Sequence, residues 1–437
     1  MLSTTEHVPF INNFEEYFEK INTDKATKDL NIFREKALKK LQSLQAPSTK
    51  DEDFKYTDIS QILKEKFAQP EAKNVKESAF LKEFTKNDAI RIVFVNGIFA
   101  KELSQNIKHK GLTVLEIKEA LTTNAADITA FLKKQNYEKD TYFLSLNKTL
   151  LENGVFIKVD DKVIFEGIIH IIHLSADASK TFLTSPYTMI LCGKSSEITV
   201  LESHISESDT MRYLANALTE IDLSENAIIH YCKAQRESAE SFHIGNTRIY
   251  QQTNSNFDGF SVMSSGKITR NNMDVYLNGE GTASALNGFY FGRKDQVIDN
   301  HTNVEHLSPN CTSNQLYKGI LNDASRGIFN GKIYVHPIAQ KTNSYQLNKT
   351  MLLGKDARID TKPQLEIFAD DVKCTHGATI GQMNEDEIFY FQSRCVCRRD
   401  AVRMLSKGFI EDILSTIKNE VVHDKLITLL APTFASL

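Results

Sequence analysis

Two residues near the carboxyl-terminal end have types and spacing that could bind a metal together: Cys374 and His376. A neutral imidazole is a borderline ligand that suits iron, and Cys374 adds a thiol two positions away. In a β-strand, residues i and i+2 face the same side, so both could point at one site. The alternative is that Cys374 packs as a small hydrophobic residue and His376 hydrogen-bonds a carbonyl group.

The remaining cysteines give a weaker signal. Cys395 and Cys397 form a C-x-C pair, but two thiolates do not make a complete metal site, so we predict no ligand role for them. The six cysteines are scattered along 437 residues and lack the density of a disulfide scaffold. This distribution favours a reducing cytosol.

Composition and motifs argue against several functional classes. The net charge of -4 gives no electrostatic case for binding nucleic acid or an anionic membrane surface. The sequence has no run of about 18 apolar residues, so we expect no membrane span. The amino terminus lacks a basic segment followed by an apolar one, so we expect no secretory signal and a cytoplasmic location. No Walker A motif and no G-x-S-x-G elbow occur.

The hydrophobic pattern divides the chain into regions. Helical spacing at Asn31–Leu44 and a helix start near Thr57–Asp58 precede a β-branched strand at Ile90–Val95. From about Val155, short apolar runs alternate with Gly, Asn, Ser and Asp, apart from a short helical stretch at Met211–Leu218. Roughly 200 residues of short strands are typical of a sandwich, a barrel or a β-solenoid, and the spacing alone does not choose among them.

Helical spacing returns after Gly381, where Asn384 is suited to cap a helix. Between Arg399 and Lys418, apolar residues recur about every 3.6 positions and form one stripe. The stripe consists of Val402, Leu405, Phe409 and Ile413, flanked by Ala401, Met404 and Ile417. It either packs on the chain's own core or binds a partner, and the pattern leaves both open.

Several long segments resemble the SufB/SufD family of iron–sulfur cluster assembly proteins. They occur in the family's order over nearly the whole chain and match least around residues 100–150. The most specific is LEIFADDVKCTHGATIGQ at Leu365–Gln382, whose Cys-x-His-Gly-Ala-Thr form resembles the SufD branch. The others are Arg34–Ile59, Asn216–Gln235, Asp299–Leu321, Gly327–Gly354 and Ile388–Phe409.

Three features separate the two branches of this family. SufB-like chains carry clustered cysteines near the amino terminus, whereas the first cysteine here is Cys192. They also carry a cysteine in the stretch that matches Tyr345–Gly354, where this chain has Asn348, whose amide cannot accept persulfide sulfur. Finally, they have Glu-His-Glu where this chain reads Cys374-Thr375-His376-Gly377. All three favour the SufD branch.

The resemblance implies a mainly β fold with a right-handed parallel β-helix core. The implied divisions are an N-terminal helical and α/β region at residues 1–150, the β-helix core at 151–381, and a C-terminal helical domain at 382–437. The core would pair with SufB through its strands, and the C-terminal domain would dock the ATPase SufC. The assembly would resemble one SufB, one SufD and two SufC subunits.

The same resemblance implies a non-ATPase subunit, not an enzyme, that helps acquire iron and form clusters at the SufB interface. His376, with Cys374, would belong to a metal site shared with SufB. No cofactor is expected on the isolated chain; transient iron or an iron–sulfur cluster would bind in the complex, and a flavin there is left open. The residues expected to bind the ATPase partner are Phe389, Tyr390, Arg394, Met404, Leu405 and Phe409.

Two further expectations concern a position where this chain departs from the family and an alternative function. Family members usually have Gly at the position of Cys395, so a left-handed backbone there would strain this chain. The alternative function is a β-helix carbohydrate lyase or hydrolase, which needs paired carboxylates or a calcium site on an exposed groove. Asp299, Asp370 and Asp371 are the candidates for that role. The expected lack of a secretory signal argues against it, because such enzymes are usually secreted.

Overall fold

The computed structural model describes residues 11–71, 75, 77–105, 107–135, 137–176 and 180–437. Residues 1–10, part of the amino-terminal segment in which no secretory signal is expected, lie outside this description. The described residues form a parallel β-solenoid of two sheets with helical regions before and after it. The mainly β fold with a parallel β-helix core is therefore confirmed. None of the helices in this part of the chain has the length and apolar character needed to cross a membrane.

The region before the solenoid combines helices and short strands. Its α-helices are α1 (Phe14–Thr23), α2 (Asn31–Ser43), α3 (Ser60–Lys64), α4 (Ala79–Phe84), α5 (Ile117–Thr123), α6 (Ala125–Lys133) and α7 (Tyr142–Thr149). Its strands are β1 (Ile90–Val95), β2 (Ile98–Phe99) and β3 (Leu112–Glu116). The helix predicted at Asn31–Leu44 and the strand predicted at Ile90–Val95 are both confirmed.

Two long sheets form the solenoid. Its strands are β4 (Gly154–Val159), β5 (Ile164–Ser175), β6 (Phe182–Thr184), β7 (Tyr187–Cys192), β8 (Glu197–Ser206), β9 (Tyr213–Leu223), β10 (Ile228–Arg236), β11 (Phe242–Gln251), β12 (Asn256–Met263), β13 (Ile268–Leu277), β14 (Ala283–Gly292), β15 (Val297–His306), β16 (Thr312–Leu321), β17 (Arg326–Val335), β18 (Asn343–Leu352), β19 (Arg358–Ile367) and β20 (Lys373–Gln382). One sheet has the order β2-β1-β5-β8-β10-β12-β14-β16-β18-β20 and the other β19-β17-β15-β13-β11-β9-β7-β4-β3. We call them the β20 sheet and the β19 sheet.

Alternating side chains explain why these strands stack. In β18, Ser344, Gln346, Asn348 and Thr350 are buried, while the residues between them are exposed or half-buried. Since successive side chains of a strand point to opposite faces, one face of each strand lines the solenoid interior. Neighbouring strands within the solenoid run parallel, whereas β1–β2 and β3–β4 at the far ends pair antiparallel.

A recurring corner closes each turn of the solenoid. Where the chain passes from the β19 sheet to the β20 sheet, successive turns contain one residue with positive φ: Lys162, Ser195, Asn226, Asn254, Gly281, Asn310 and Lys341. Asn is among the residues that tolerate this region best. Val297 pairs with Arg326, which is 29 positions later in the chain. The repeating unit is thus a whole two-strand turn, so the sequence shows no short period.

Helices cover the outer faces of both sheets. On the β19 sheet, Leu38 and Leu146 of the N-terminal helices join a buried cluster with Leu214 and Phe242 of the strands. The chain after the solenoid forms α8 (Glu385–Gln392), α9 (Arg398–Leu414) and α10 (Glu420–Ala435). Apolar residues of α9 and α10 pack on the outer face of the β20 sheet, and Ile413 is among those that are fully buried.

The structure corrects the helical stretch predicted at Met211–Leu218. Residues Tyr213–Leu223 form strand β9, and almost all of them are buried. One face of β9 lines the solenoid interior and the other is covered by the N-terminal helices, so both faces are apolar and the period-2 alternation disappears.

The cap predicted at Asn384 is confirmed, because its side chain accepts a hydrogen bond from the amide of Asp386 at the start of α8. The helix start predicted near Thr57–Asp58 is displaced: α3 begins at Ser60, after the N-cap residue Ile59, which makes no side-chain capping hydrogen bond.

Candidate functional site at the open end of the solenoid

The last turn of the solenoid, β19 and β20, has no further turn stacked on it in the described chain. β19 pairs with β17, β20 pairs with β18, and each is the outermost strand of its sheet. Within β19 no residue is buried, and most of β20 is exposed. Outermost strands present unpaired N–H and C=O groups that can pair with another strand. We call this surface the open end.

His376 lies on β20 at the open end. Its ladder partner is Gln346 of β18, whose side chain is fully buried in the solenoid interior. His376 therefore continues an inward-facing row, and it is exposed because no turn follows. Among the described residues, no hydrogen bond engages its imidazole. The imidazole is thus available to a metal or to a partner chain.

Cys374 lies on the same strand but in a different environment. It pairs with Ser344 and is half-buried beside the cluster that contains Ile333 and Val335. Burial raises the pKa of the Cys374 thiol. Since the thiolate is the form that binds metal, a raised pKa weakens Cys374 as a ligand near neutral pH. The geometry thus matches the packing interpretation of Cys374 and leaves His376 as the stronger candidate.

A buried polar row lies directly behind His376. Gln315 and Gln346 precede it in the same ladder, and both side chains are fully buried. Thr302 Oγ1 donates to Gln315 Oε1 at 2.7 Å, whereas neither amide atom of Gln346 has a partner in the described chain. A Cβ at Gly331 would collide with the Gln346 amide, so the glycine makes room for it. This row could not be predicted from sequence, because lone glutamines in strands form no motif.

Asn348 is also buried inside the last turns. Its Nδ2 donates to Tyr290 Oη at 3.2 Å, and Thr350 Oγ1 donates to its Oδ1 at 3.1 Å. Its ladder partner on β20 is Ala378, two positions after His376. The amide is therefore held in an internal hydrogen-bond network beneath the open end. This chain has no thiol at that position to offer to sulfur or iron.

Comparison with known proteins decides the family. The family described as "SUF system FeS cluster assembly, SufBD core domain" matches residues 173–409, which is more than half of the chain. The family described as "SufBD protein N-terminal region" matches residues 4–171.

The chain belongs to the SufB/SufD family.

Relatives in three organisms agree with this assignment. An iron–sulfur cluster assembly SufBD family protein of Synechocystis is 30% identical over 395 residues, which cover 88% of this chain and 86% of that protein. The iron–sulfur cluster assembly protein SufD of Escherichia coli is 28% identical over 383 residues, 87% of this chain and 88% of the relative. SufD of Bacillus subtilis is 24% identical over 332 residues, 75% of each. The predicted SufD branch is confirmed.

In this SufB/SufD chain, some of the predicted partner-binding residues of α8 and α9 are exposed and others pack on the chain's own core. Phe389, Tyr390 and Met404 are 69%, 56% and 52% exposed, and the Arg394 guanidinium lies 3.5 Å from the centre of the Tyr390 ring. Phe409, in contrast, packs against the chain's own core, and its carbonyl accepts a hydrogen bond from Lys318 Nζ.

Leu405 is half-buried and Ile413 is fully buried. None of the four predicted stripe residues is exposed, and the two near the carboxyl-terminal end of α9, Phe409 and Ile413, pack on the β20 sheet. Met404, which flanks the stripe, faces outward. A role of the exposed residues in binding a partner stays a prediction.

Cys395 departs from the family in the way the sequence indicated. Its φ is 63°, in the left-handed region where glycine is favoured. The turn between α8 and α9 therefore keeps its left-handed backbone even though a cysteine replaces the glycine. Cys397 is also exposed, and its Sγ lies 3.1 Å from Asp400 Oδ2. Neither thiol belongs to a group of potential metal ligands in the described residues.

A Ser–His–Asp chain that the sequence did not predict is buried under α10. His170 Nδ1 lies 2.9 Å from Asp88 Oδ2, and His170 Nε2 lies 2.9 Å from Ser203 Oγ. The His170 and Ser203 side chains are fully buried, and burial lowers the pKa of His170. Substrate has no path to the hydroxyl, so we assign the chain a structural role. No motif could reveal it, because the three residues come from distant segments.

Asp299, one of the candidate carboxylates for a carbohydrate lyase or hydrolase, does not fit that role. Asp299 is fully buried and paired with Arg270 at 2.8 Å, and its other oxygen lies 2.9 Å from His301 Nε2. Thr57, near the predicted helix start, also donates to Asp299 at 2.5 Å. A carboxylate in this network is not on an exposed groove, as glycoside cleavage requires.

Proposed function

We propose that this chain is the SufD-type subunit of a SufB–SufC–SufD scaffold that assembles iron–sulfur clusters. It pairs with SufB through the open end, docks SufC through its C-terminal helices, and has no enzymatic activity of its own. It acts in the cytoplasm. The observation that carries the proposal is the open end of a chain that belongs to the SufB/SufD family. There the outermost strand of each sheet has a free edge, and His376 on one of these strands is exposed.

Pairing with SufB is supported by what the open end exposes. The inward rows of β19 and β20 carry Ile359, Leu365, Ile367 and Ile380, of which Ile367 and Ile380 are 39% and 49% exposed. These side chains would be interior if another turn followed. A second solenoid end placed here covers them and supplies strands for the free edges, as in β-strand addition.

Cluster chemistry is assigned to the same surface. Iron and the nascent cluster are the cargo in this proposal, and His376 is the ligand that this chain contributes. Imidazole binds iron through nitrogen and is largely neutral near pH 7 in its unperturbed state. Cys374 contributes less because burial favours its thiol form, and Asn348 contributes no sulfur. Thiolate ligands therefore come from SufB.

Docking of SufC is assigned to the exposed side of the C-terminal helices. Aromatic residues, Met and Arg are enriched in the centres of protein interfaces, and Phe389, Tyr390, Arg394 and Met404 form such a set. Their exposure in the isolated chain supports the proposal that a partner protein covers them in the complex. Phe409 has another task, because it holds α9 against the β20 sheet.

The proposal is tested by two neighbouring substitutions on β20. Ile380→Asp places a charge in the inward row of the open end, where a partner would bury it at high cost. Thr379→Asp places the same charge on the opposite face of the same strand. Because both side chains are exposed, neither change should lower the melting temperature of the isolated chain appreciably.

Each variant is co-expressed with the SufB and SufC proteins of the same organism and purified through a tag on this chain. Ile380→Asp should lose SufB, and Thr379→Asp should retain it, as judged by native mass spectrometry. Retention of SufB by the Ile380→Asp variant at the wild-type level would contradict pairing through the open end. Failure of the wild-type chain to retain either protein would overturn the proposed function.

A further inference from the structure

A cluster of imidazoles and carboxylates lies inside the solenoid, far from the open end. His173 of β5, Glu202 and His204 of β8, Glu237 after β10 and His243 of β11 are all at most 8% exposed. They form two groups of three, His173–Glu202–His204 and His204–Glu237–His243, which share His204. Within each group the potential ligand atoms lie within 4.8 Å of one another.

The carboxylate of Glu202 is oriented by hydroxyl groups. Its Oε2 accepts hydrogen bonds from Thr219 Oγ1 at 2.8 Å and Tyr231 Oη at 2.7 Å. Its Oε1 is left facing the two imidazoles, 3.3 Å from His173 Nε2 and 3.4 Å from His204 Nε2. Supporting hydrogen bonds of this kind hold ligands in place at metal sites.

Glu237 is held in a similar way in the second group. Its Oε1 accepts from Tyr213 Oη at 3.0 Å, and its Oε2 accepts from Gln235 Nε2 at 3.1 Å. The same Oε2 lies 2.7 Å from His243 Nδ1. Each group therefore presents two imidazoles and one carboxylate that is fixed from behind.

Most of the imidazole nitrogens in the cluster lack a well-formed hydrogen bond. Neither nitrogen of His173 or His243, nor Nε2 of His204, makes a hydrogen bond of good geometry to any described residue. Buried polar groups are normally paired, because leaving them unpaired is destabilising. Three of these nitrogens, His173 Nε2, His204 Nε2 and His243 Nδ1, face the carboxylates of Glu202 and Glu237, whereas His173 Nδ1 and His243 Nε2 have no partner among the described residues. A neutral imidazole has one lone pair, which a metal ion can accept in place of a hydrogen bond.

The parallel ladder holds the rings together. His173 and His204 are direct ladder partners, and their rings stack at 4.5 Å. The His243 ring meets the His204 ring edge-on at 4.7 Å from the opposite sheet. Phe94 stacks on His173 at 5.4 Å and closes that side. The arrangement is therefore fixed by strand register and by packing.

The charge balance of the cluster and a small adjoining cavity are both compatible with a bound cation. Lys233 is buried beside the cluster. A Cβ at Gly245 would collide with both Lys233 Nζ and His243 Nε2, so only a glycine at this position leaves space for these two groups. One ammonium group faces two carboxylates, which leaves one negative charge when the imidazoles are neutral. A cavity of about 10 Å³ lined by Lys233, His243 and Asn271 adjoins the cluster, about the size needed for one water molecule.

We propose that this cluster binds a divalent first-row transition metal ion, Fe²⁺ or Zn²⁺, inside the solenoid. Two imidazoles and a carboxylate suit both ions, whereas an oxygen-only set would favour Mg²⁺ or Ca²⁺. His204 is the central ligand because it belongs to both groups. The metal ties two neighbouring turns of the β20 sheet to the β19 sheet, and its role is to stabilise this part of the solenoid.

This interior site is separate from the open end. β8 and β20 are six strands apart in their sheet, which corresponds to about 29 Å at roughly 4.8 Å per strand. The proposal does not rest on the assembly function: a chain that failed to bind SufB could still hold this metal, and the reverse.

The test measures metal on the full-length chain and on matched variants. The chain is expressed with added iron or zinc, passed over gel filtration with a competing chelator, and analysed for bound metal. A second sample is refolded with Co²⁺, whose visible spectrum reports nitrogen and oxygen ligands. The variants are His204→Gln and Glu202→Gln in the cluster, with His306→Gln as the control for a fully buried histidine elsewhere in the solenoid.

The wild-type chain should retain about one metal ion and should melt at a higher temperature when loaded, because a ligand that binds only the folded state stabilises it. His204→Gln should abolish retention, Glu202→Gln should weaken it at least about 10-fold, and His306→Gln should leave it unchanged. If His204→Gln does not fold by circular dichroism, Glu237→Gln takes its place.

Two results would overturn the proposal. The first is a wild-type chain that carries no iron or zinc and gives no Co²⁺ spectrum. The second is a folded His204→Gln or Glu237→Gln variant that retains metal like the wild type. His376→Ala is measured alongside: if it loses the metal while a folded His204→Gln or Glu237→Gln variant retains it, the metal belongs to the open end and the interior site is refuted.

Discussion

Lys425 joins α10 to the segment that runs from Phe84 to Asp88, and its removal has a large expected cost. Its Nζ lies 3.0 Å from Asp88 Oδ1 and donates to the carbonyl groups of Phe84 and Lys86. The Lys425 and Asp88 side chains are 5% and 3% exposed. Asp88 in turn contacts His170 of the β20 sheet. Lys425→Met keeps the aliphatic stem and removes only the charge and the donors.

The expected loss is about 3–5 kcal/mol, the usual cost of leaving one member of a buried ion pair unpaired. His170 cannot replace the lost charge well, because burial lowers its pKa and favours the neutral ring. The cost falls on the docking of α10, so local opening of this helix should precede global unfolding. Since 1.4 kcal/mol is a factor of ten, amide exchange in α10 should accelerate at least about 100-fold.

Hydrogen exchange followed by mass spectrometry measures this change directly. Lys418→Met is the matched control, because Lys418 is 74% exposed and lies 3.7 Å from Asp258. A surface pair of this kind should change stability by less than about 1 kcal/mol. If Lys425→Met accelerates exchange in α10 no more than Lys418→Met does, the buried ion pair does not hold the helix, and this reasoning is refuted.

Two more predictions concern the partner surface and pH. Met404→Asp should reduce the amount of co-purified SufC without changing the melting temperature, because Met404 is 52% exposed; an unchanged SufC yield would contradict the docking surface. Burial lowers the pKa of His306 to about 4, below about 6.5 in the unfolded chain. Between these values only the unfolded chain binds the proton, so stability present above pH 6.5 is lost toward pH 4, by about 3 kcal/mol. His306→Gln should remove this part of the pH dependence of urea unfolding, and an unchanged dependence would refute the assignment.

Local features of the fold were predictable because their causes are local. The helix at Asn31–Ser43, the strand at Ile90–Val95 and the cap at Asn384 each follow from residue types within a few positions. At Cys395 the family's glycine raised the question of a left-handed turn, but only the structure shows that the cysteine keeps that conformation. Strand β9 was misread, since helices cover its outer face and remove the alternation on which the prediction depends.

The sites depend on register, which sequence alone does not give. His376 was predicted as a ligand because it lies in a recognisable motif, and that role stays a prediction. The position of Gln346 behind it follows only from the ladder pairing. The interior cluster draws on residues from His173 to His243, which meet because turn lengths set the strands in phase. The stripe of α9 had the right period, but the period does not say whether the chain's own sheet or a partner covers it.

In the proposed function, iron–sulfur clusters form at the open end with His376 as a ligand. The most direct measurement is iron and acid-labile sulfide per complex after co-expression with SufB and SufC, with His376→Ala compared with Thr375→Ala on the opposite face of the same strand. Sulfide is decisive, because the interior metal site contains none. We predict that His376→Ala leaves the size-exclusion profile unchanged and lowers both iron and sulfide, while Thr375→Ala matches the wild type. Full sulfide loading in the His376→Ala complex would show that His376 is not a cluster ligand.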